Sequence, residues 1–238
     1  MANMTSSGHA LSGGSPHDRE ELHLTVAGRE PSHHGPVRVP RGPYVRVVKP
    51  LFDRVVGFCI FVVLLPLTGV VALAVRISLG SPVIFRQPRV GRNDERFDVY
   101  KFRTMGHDRR QEQQPVEQDR RQIHKSNDDP RHTRVGRCLR KWSLDELPQF
   151  WNVVRGDMSL VGPRPELVEI VARYEPWQHQ RHAVKPGLTG LWQVSSRGSG
   201  MMHLHTEIDL EYIESMGFGT DLKILFRTIP ATLARRGN

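Results

Sequence analysis

The longest unbroken apolar pattern in the chain runs from Val55 to Val75, 21 residues without a charge between Arg54 and Arg76. As a helix rising about 1.5 Å per residue, it matches a hydrocarbon layer about 30 Å thick. Pro66 falls near its middle, where a missing donor and a ring clash with the preceding turn predict a kink or break. Arg41, Arg46, Lys49 and Arg54 precede the run, and Arg76, Arg86, Arg89 and Arg92 follow it. Positive residues hold their flank on the cytoplasmic side, so one straight span cannot satisfy both ends. A helix–break–helix that enters one leaflet and returns satisfies both. It is preferred here to a kinked full span.

Downstream the period changes. Residues 83–87 and 97–105 are rich in β-forming side chains and flank a Gly91-Arg92-Asn93-Asp94 turn, which predicts a hairpin. Alternation along the second run places Phe97, Val99, Lys101 and Arg103 on one face. Residues 106–130 are polar and glutamine-rich without an apolar period, a loop or insertion. A basic amphipathic turn or short helix is expected over 134–142, then a helix from about Leu144 to Arg155 that stops at Gly156. Leu167, Ile170, Val171 and Tyr174 recur at helical spacing, and two further helical stretches lie around 204–216 and 222–233. Residues 1–40 are rich in Gly, Ser, Pro and His and predict a disordered tail, with no apolar region after the start to suggest a signal peptide. The expected fold is α+β. A membrane-associated re-entrant helix (41–80) leads into a compact, mostly helical cytosolic domain with a small hairpin (81–238).

Charge sharpens this picture. The 238 residues carry a formal net charge of +9, yet the first 40 hold three arginines against four acids, so the rest carries +10. That surplus favours anionic partners: nucleic acid, lipid headgroups or phosphorylated metabolites. The aromatic residues are scattered rather than interleaved with arginines, and no groove-reading motif appears, which disfavours nucleic acid. A membrane-anchored basic binding module is the non-catalytic alternative. The two cysteines, Cys59 and Cys138, form neither a metal-binding pair nor a disulfide framework, and His33-His34 has no partner at ligand spacing.

The candidate chemistry lies in Ser143-Leu144-Asp145-Glu146-Leu147-Pro148-Gln149. Ser143 with Glu146 fits a capping box, a purely structural reading. That register leaves Pro148 awkwardly inside the helix; with Asp145 as N-cap, Pro148 falls on the third position, where its missing N–H costs little. An ionised aspartate there is able to attack phosphorus, provided cations offset its approach to an anion. Glu146 offers a second oxygen to a hard cation such as Mg²⁺. Arg164, stiffened between Pro163 and Pro165, suits bidentate phosphate binding, and its structural alternative is an ion pair.

Several motifs occur together and in order. The apolar run is followed by Gly80-Ser81-Pro82-Val83-Ile84-Phe85-Arg86-Gln87, then by Tyr100-Lys101-Phe102-Arg103-Thr104-Met105. The Ser143–Gln149 stretch comes next, with Gly156-Asp157-Met158-Ser159-Leu160-Val161-Gly162-Pro163-Arg164-Pro165 and Lys185-Pro186-Gly187-Leu188-Thr189-Gly190 after it. Over about residues 45–230 this order resembles the bacterial sugar transferase family, the monotopic polyprenyl-phosphate hexose-1-phosphate transferases. The resemblance implies an enzyme of the bacterial inner membrane whose catalytic domain faces the cytoplasm. It would move a hexose-1-phosphate from a UDP-sugar, glucose or galactose by the Leu191–Ser195 text, to undecaprenyl phosphate with Mg²⁺, releasing UMP. A homodimer is compatible with it. Carried over by motif, Asp145 is the nucleophile and Glu146 its metal or acid–base partner. Lys101, Arg103, Arg140 and Arg164 surround the phosphates, and Pro66 marks the membrane break. The chain departs from the pattern at Leu65, where many small members carry serine, and at Ser196, where glycine is usual before Arg197.

Overall fold

A computed structural model describes residues 35–106, 133–195 and 205–234. Residues 1–34, the insertion from 107 to 130, and Ser196-Arg197 lie outside the described residues. Residues 36–40, assigned to the tail by composition, run without regular structure beside the core. Val37 and Val39 pack on it, and the Val37 N–H donates to the Gln180 side chain.

The apolar run folds as α1 (Lys49–Leu79), entered through a π-helical turn, Tyr44–Val48. Pro66 lies inside α1 and does not divide it, so the expected helix–break–helix is one continuous helix. A proline removes a single donor, and the turns on either side keep their own bonds. One stripe of α1 is fixed to the rest of the chain in two stretches, from Lys49 to Phe61 and again at Val71 and Val75. Near its start the Lys49 ammonium bonds Asp221 (2.6 Å) and the Val161 carbonyl (3.0 Å), while Asp53 accepts from Ser159 Oγ (2.6 Å). Tyr44 and Tyr212 also donate to Asp221, which closes a buried polar network. Farther along, Gly57 lets Val153 approach so closely that a Cβ there would lie 2.8 Å from Val153 Cγ1, and Phe61 meets Trp151 with ring centroids 5.6 Å apart. Val71 and Val75 complete the stripe by packing with Phe102 and Leu139. The opposite stripe, from Val47 and Leu51 through Val63 and Val70 to Ile77, is exposed and apolar.

The hairpin forms as expected: β1 (Ile84–Val90) pairs antiparallel with β2 (Arg96–Phe102). In β2, Val99 points into one core and Phe102 into the other, because residues three apart face opposite sides. The described chain continues with α2 (Arg134–Lys141), α3 (Gln149–Arg155), β3 (Ser159–Val161), β4 (Glu166–Leu167) and α4 (Val168–Val171). After a 3-10 helix, Gln178–Ala183, come β5 (Gly187–Thr189), α5 (Leu191–Ser195), α6 (Thr206–Glu214) and α7 (Phe218–Ala234). Two pairings have no local pattern in the sequence. β4 adds to β1 beyond Pro88, whose missing N–H cannot join a ladder, and β3 pairs in parallel with β5.

Candidate active site

The adjacent carboxylates stand in one turn of 3-10 helix, Leu144–Glu146, between α2 and α3. Ser143 enters the turn with φ 55°, in the left-handed region, and its side chain caps nothing. Neither capping register read from the sequence is formed. Pro148 cannot continue the hydrogen bonding of the first turn, so the helix restarts after it, with Pro148 itself at the N-cap of α3. Leu144 and Leu147, on either side of the acids, pack on the cluster of Val71, Val75, Phe102 and Leu139. The acidic turn is thereby seated on the second half of the apolar helix.

Two of the basic residues singled out by sequence converge on Glu146. Lys101 Nζ reaches Glu146 Oε1 at 3.0 Å and Arg164 Nη2 reaches the same oxygen at 3.4 Å. Burial alone would raise the Glu146 carboxyl, but Lys101 and Arg164 more than reverse it and hold Glu146 well below the usual carboxylate range. Asp145 behaves in the opposite way. Burial, and then the charge of Glu146, push its carboxyl up to about 6, with Lys101 and Arg140 only partly opposing. One turn thus presents a firmly ionised, cation-paired acid beside an acid whose ionised form is costly and therefore reactive.

Arg164 owes its position to close backbone packing. The Gly162 N–H donates to the Thr189 carbonyl (2.9 Å), and the Gly187 N–H donates to the Pro163 carbonyl (2.8 Å). A Cβ on Gly162 would come 2.5 Å from the Lys185 carbonyl oxygen, and one on Gly190 would come 2.2 Å from the Gly162 carbonyl oxygen. The two glycine-bearing motifs, far apart in sequence, therefore form one backbone contact that presents Arg164. Two residues that the sequence did not place at the site brace the same loop. Arg89 donates to the Pro165 carbonyl (3.1 Å) and faces Glu166 (3.6 Å). Arg181, almost fully buried, donates to the Arg164 carbonyl (2.9 Å) and the Tyr174 hydroxyl (2.6 Å) and pairs with Asp209 (2.5 Å). Nothing in their local sequence distinguishes these charges from solvated ones.

Arg140 is carried by α2, whose start is bonded to the end of the hairpin. Thr133 caps α2 by accepting from the Gly136 N–H (3.0 Å), and a Cβ on Gly136 would lie 1.8 Å from the Thr104 carbonyl oxygen. Arg103, expected among the phosphate ligands, makes its described contacts at the end of the apolar helix. Its guanidinium donates to the carbonyls of Leu79, Gly80 (2.9 Å) and Ser81 (3.1 Å), at the carboxyl end of α1. Orphan carbonyls at a helix end attract a cation, and Arg103 meets that need.

The bacterial sugar transferase family matches residues 44–235, which span the apolar helix and every element of this site. The chain belongs to that family. Among individual relatives, the uncharacterised sugar transferase EpsL of Bacillus subtilis (strain 168) is 39% identical over 195 residues, 80% of this chain and 90% of that protein. The exopolysaccharide production protein ExoY of Sinorhizobium fredii is 35% identical over 221 residues, 90% of this chain and 96% of its own length. The UDP-glucose:undecaprenyl-phosphate glucose-1-phosphate transferase of Escherichia coli (strain K12) is 40% identical over 192 residues, 77% of this chain and 40% of its own length. This sugar transferase therefore spans nearly all of the shorter relatives and less than half of the longer one. It is a transferase.

Proposed function

We propose that this sugar transferase moves a hexose-1-phosphate from UDP-glucose or UDP-galactose to undecaprenyl phosphate and so begins an exopolysaccharide. The Escherichia coli relative is named for UDP-glucose and undecaprenyl phosphate, and one from Erwinia amylovora is named a UDP-galactose-lipid carrier transferase. The observation that carries the reading is the acidic turn, packed on the apolar helix through Leu144 and Leu147 and faced by Lys101 and Arg164. Such a site meets a water-borne anion and a lipid-borne anion together.

In the first step an Asp145 carboxylate oxygen attacks the β-phosphorus of the nucleotide sugar. The bond from that phosphorus to the bridging oxygen breaks, and UMP leaves with the oxygen. An oxygen of undecaprenyl phosphate then attacks the same phosphorus, and the bond to Asp145 breaks to release the lipid diphosphate sugar. Lys101 and Arg164 keep Glu146 ionised and lend positive charge to the phosphates. Asp145 and Glu146 form an all-oxygen donor set on adjacent residues, which fits Mg²⁺ and would hold it. When bound, such a cation supplies charge neutralisation for the diphosphate.

For the membrane we propose that both ends of α1 lie at the cytoplasmic face of the inner membrane, with a bend at Pro66 inside the leaflet. Lys49 at one end and the Leu79 carbonyl at the other are bound to the same body of the protein, and both flanks are basic. The exposed apolar stripe between them is the surface a leaflet would cover.

The test is UMP release from UDP-glucose and UDP-galactose with undecaprenyl phosphate and Mg²⁺, together with mass spectrometry after donor alone. UMP formation and a phosphohexose adduct on Asp145 are expected. No UMP with either donor defeats the assignment, and turnover without an adduct defeats the covalent route. Arg103→Gln should lower thermal stability by about 1–2 kcal/mol through lost carbonyl contacts. Its KM for the UDP-sugar should stay within about twofold of the parent, whereas loss of a charge-assisted phosphate contact would raise it about tenfold or more.

A further inference from the structure

A second cluster of ligating side chains lies outside the catalytic turn. Asp94 Oδ1 is approached by His179 Nδ1 at 2.9 Å and by His182 Nδ1 at 2.6 Å, and the three ligand atoms all fall within 4.8 Å of one another. Each ligand is held by its own device. Asn93 and Asp94 both adopt left-handed backbone (φ 57° and 60°), which turns the Asp94 carboxylate back over the hairpin end. His179 and His182 are three apart in the 3-10 helix Gln178–Ala183, whose three residues per turn bring such side chains one above the other. The Tyr174 ring stacks on His182 (centroids 6.0 Å, planes 11° apart) and meets His179 edge-on, so both imidazoles have a fixed orientation. The His182 side chain is buried at 7% exposure, while His179 (39%) and Asp94 (48%) leave a path for an ion from solvent.

We propose that Asp94, His179 and His182 form a site for a divalent transition metal of the Zn²⁺ class. Two imidazole nitrogens and one carboxylate oxygen are a borderline donor set, suited to Zn²⁺ or Co²⁺ and not to Mg²⁺, which prefers oxygen alone. Tetrahedral Zn²⁺ with bonds near 2.0–2.1 Å separates its ligand atoms by about 3.3 Å. The Asp94 oxygen, now 2.9 Å from His179 and 2.6 Å from His182, therefore has to withdraw by about 0.4 and 0.7 Å, and its exposure permits that. Water would complete the coordination. The ion would join the turn of the hairpin that carries Lys101 to the segment whose Arg181 holds the Arg164 carbonyl. The site thus serves as a clamp between the two cations that flank Glu146.

The full-length protein in detergent is stripped with a chelator and titrated with Co²⁺ in millimolar Mg²⁺, reading visible d–d absorption, followed by Zn²⁺ displacement and thermal melting. One equivalent of Co²⁺ with tetrahedral absorption, displaced by Zn²⁺, is expected, and Zn²⁺ should raise the melting temperature. Both signals should be lost in Asp94→Asn and His179→Ala, whose exposed side chains can be altered without opening the core, and kept in Asp145→Asn. Absence of the absorption, or its persistence unchanged in both Asp94→Asn and His179→Ala, overturns the proposal. Loss of the signal in Asp145→Asn with retention in the other two would place the ion at the catalytic turn and overturn it equally.

Discussion

Asp145→Asn is expected to reduce UMP release by at least about 10³-fold while leaving the folded protein more stable at neutral pH. Asparagine keeps the shape of the side chain but offers no carboxylate to form the bond to phosphorus. The stability gain follows from the environment of Asp145, whose carboxyl is raised from 3.8 to about 6 by burial and by Glu146. A carboxyl with a higher pKa folded than unfolded costs stability wherever the unfolded state ionises more readily. The full cost stands above about pH 6, declines as pH falls through that value, and vanishes below about 3.8. Linkage puts the ceiling near 3 kcal/mol at pH 7, and partial exposure reduces the expected gain to about 1 kcal/mol. Thermal melts of both proteins at pH 7 and pH 4 check this, with the difference between them expected to shrink at pH 4. The same carboxyl sets the pH profile of the first step. In metal-free conditions the reactive ionised form should be half populated at about pH 6, and added Mg²⁺ should move that midpoint lower. An asparagine variant with parental turnover would remove Asp145 from the chemistry altogether.

Gly187→Ala should destabilise the protein by about 3 kcal/mol or more and abolish transfer with it. The added Cβ would lie 2.1 Å from the Gly162 nitrogen and 2.4 Å from the Thr189 carbonyl oxygen. Both are backbone atoms of the contact between the Gly162–Pro165 loop and β5, so neither can swing aside as a side chain would. The chain has to separate there, which breaks the Gly187 N–H bond to Pro163 and displaces the loop that presents Arg164. Gly69→Ala in α1 is the control. Nothing lies within 4 Å of its Cβ, and alanine in a helix gains about 0.5–1 kcal/mol over glycine. Melting temperature and UMP release measured on the two variants side by side check the contrast. Equal stability of the pair would mean that the close backbone packing does not bear on the fold.

The parts of the site that were legible in the sequence are those with a local signature. Asp145 and Glu146 stood out as adjacent acids before a proline, and Arg164 as an arginine between two prolines. Apart from the motif it belongs to, Lys101 was visible as one of two basic residues on a strand face, and the alternation that grouped it with Arg103 says nothing about where that strand ends. The structure separates them: β2 stops at Phe102, Lys101 turns to Glu146, and Arg103 turns to the last carbonyls of α1. The bracing residues Arg181 and Asp209 had no signature at all, and Arg89 was read only as one of the basic residues flanking the apolar run, whereas it is buried against Glu166. A charge destined for a buried pair and a charge destined for water are the same letter, and only the partner distinguishes them.

By itself the sequence determined the apolar helix, the hairpin with its turn, the short basic helix, and the acid pair with its flanking motifs. Each follows from forces that act over a few residues: the period of burial, the φ that proline or glycine imposes, and the distribution of charge around an apolar run. The tertiary structure decided that α1 stays whole through Pro66, that the helix after the acids begins at Pro148, and that one carboxylate is braced by cations while its neighbour is left costly to ionise. It also decided that Gly162 and Gly187 touch. Those outcomes depend on which distant segments share a volume, and a contact across the fold leaves no period in the chain that makes it.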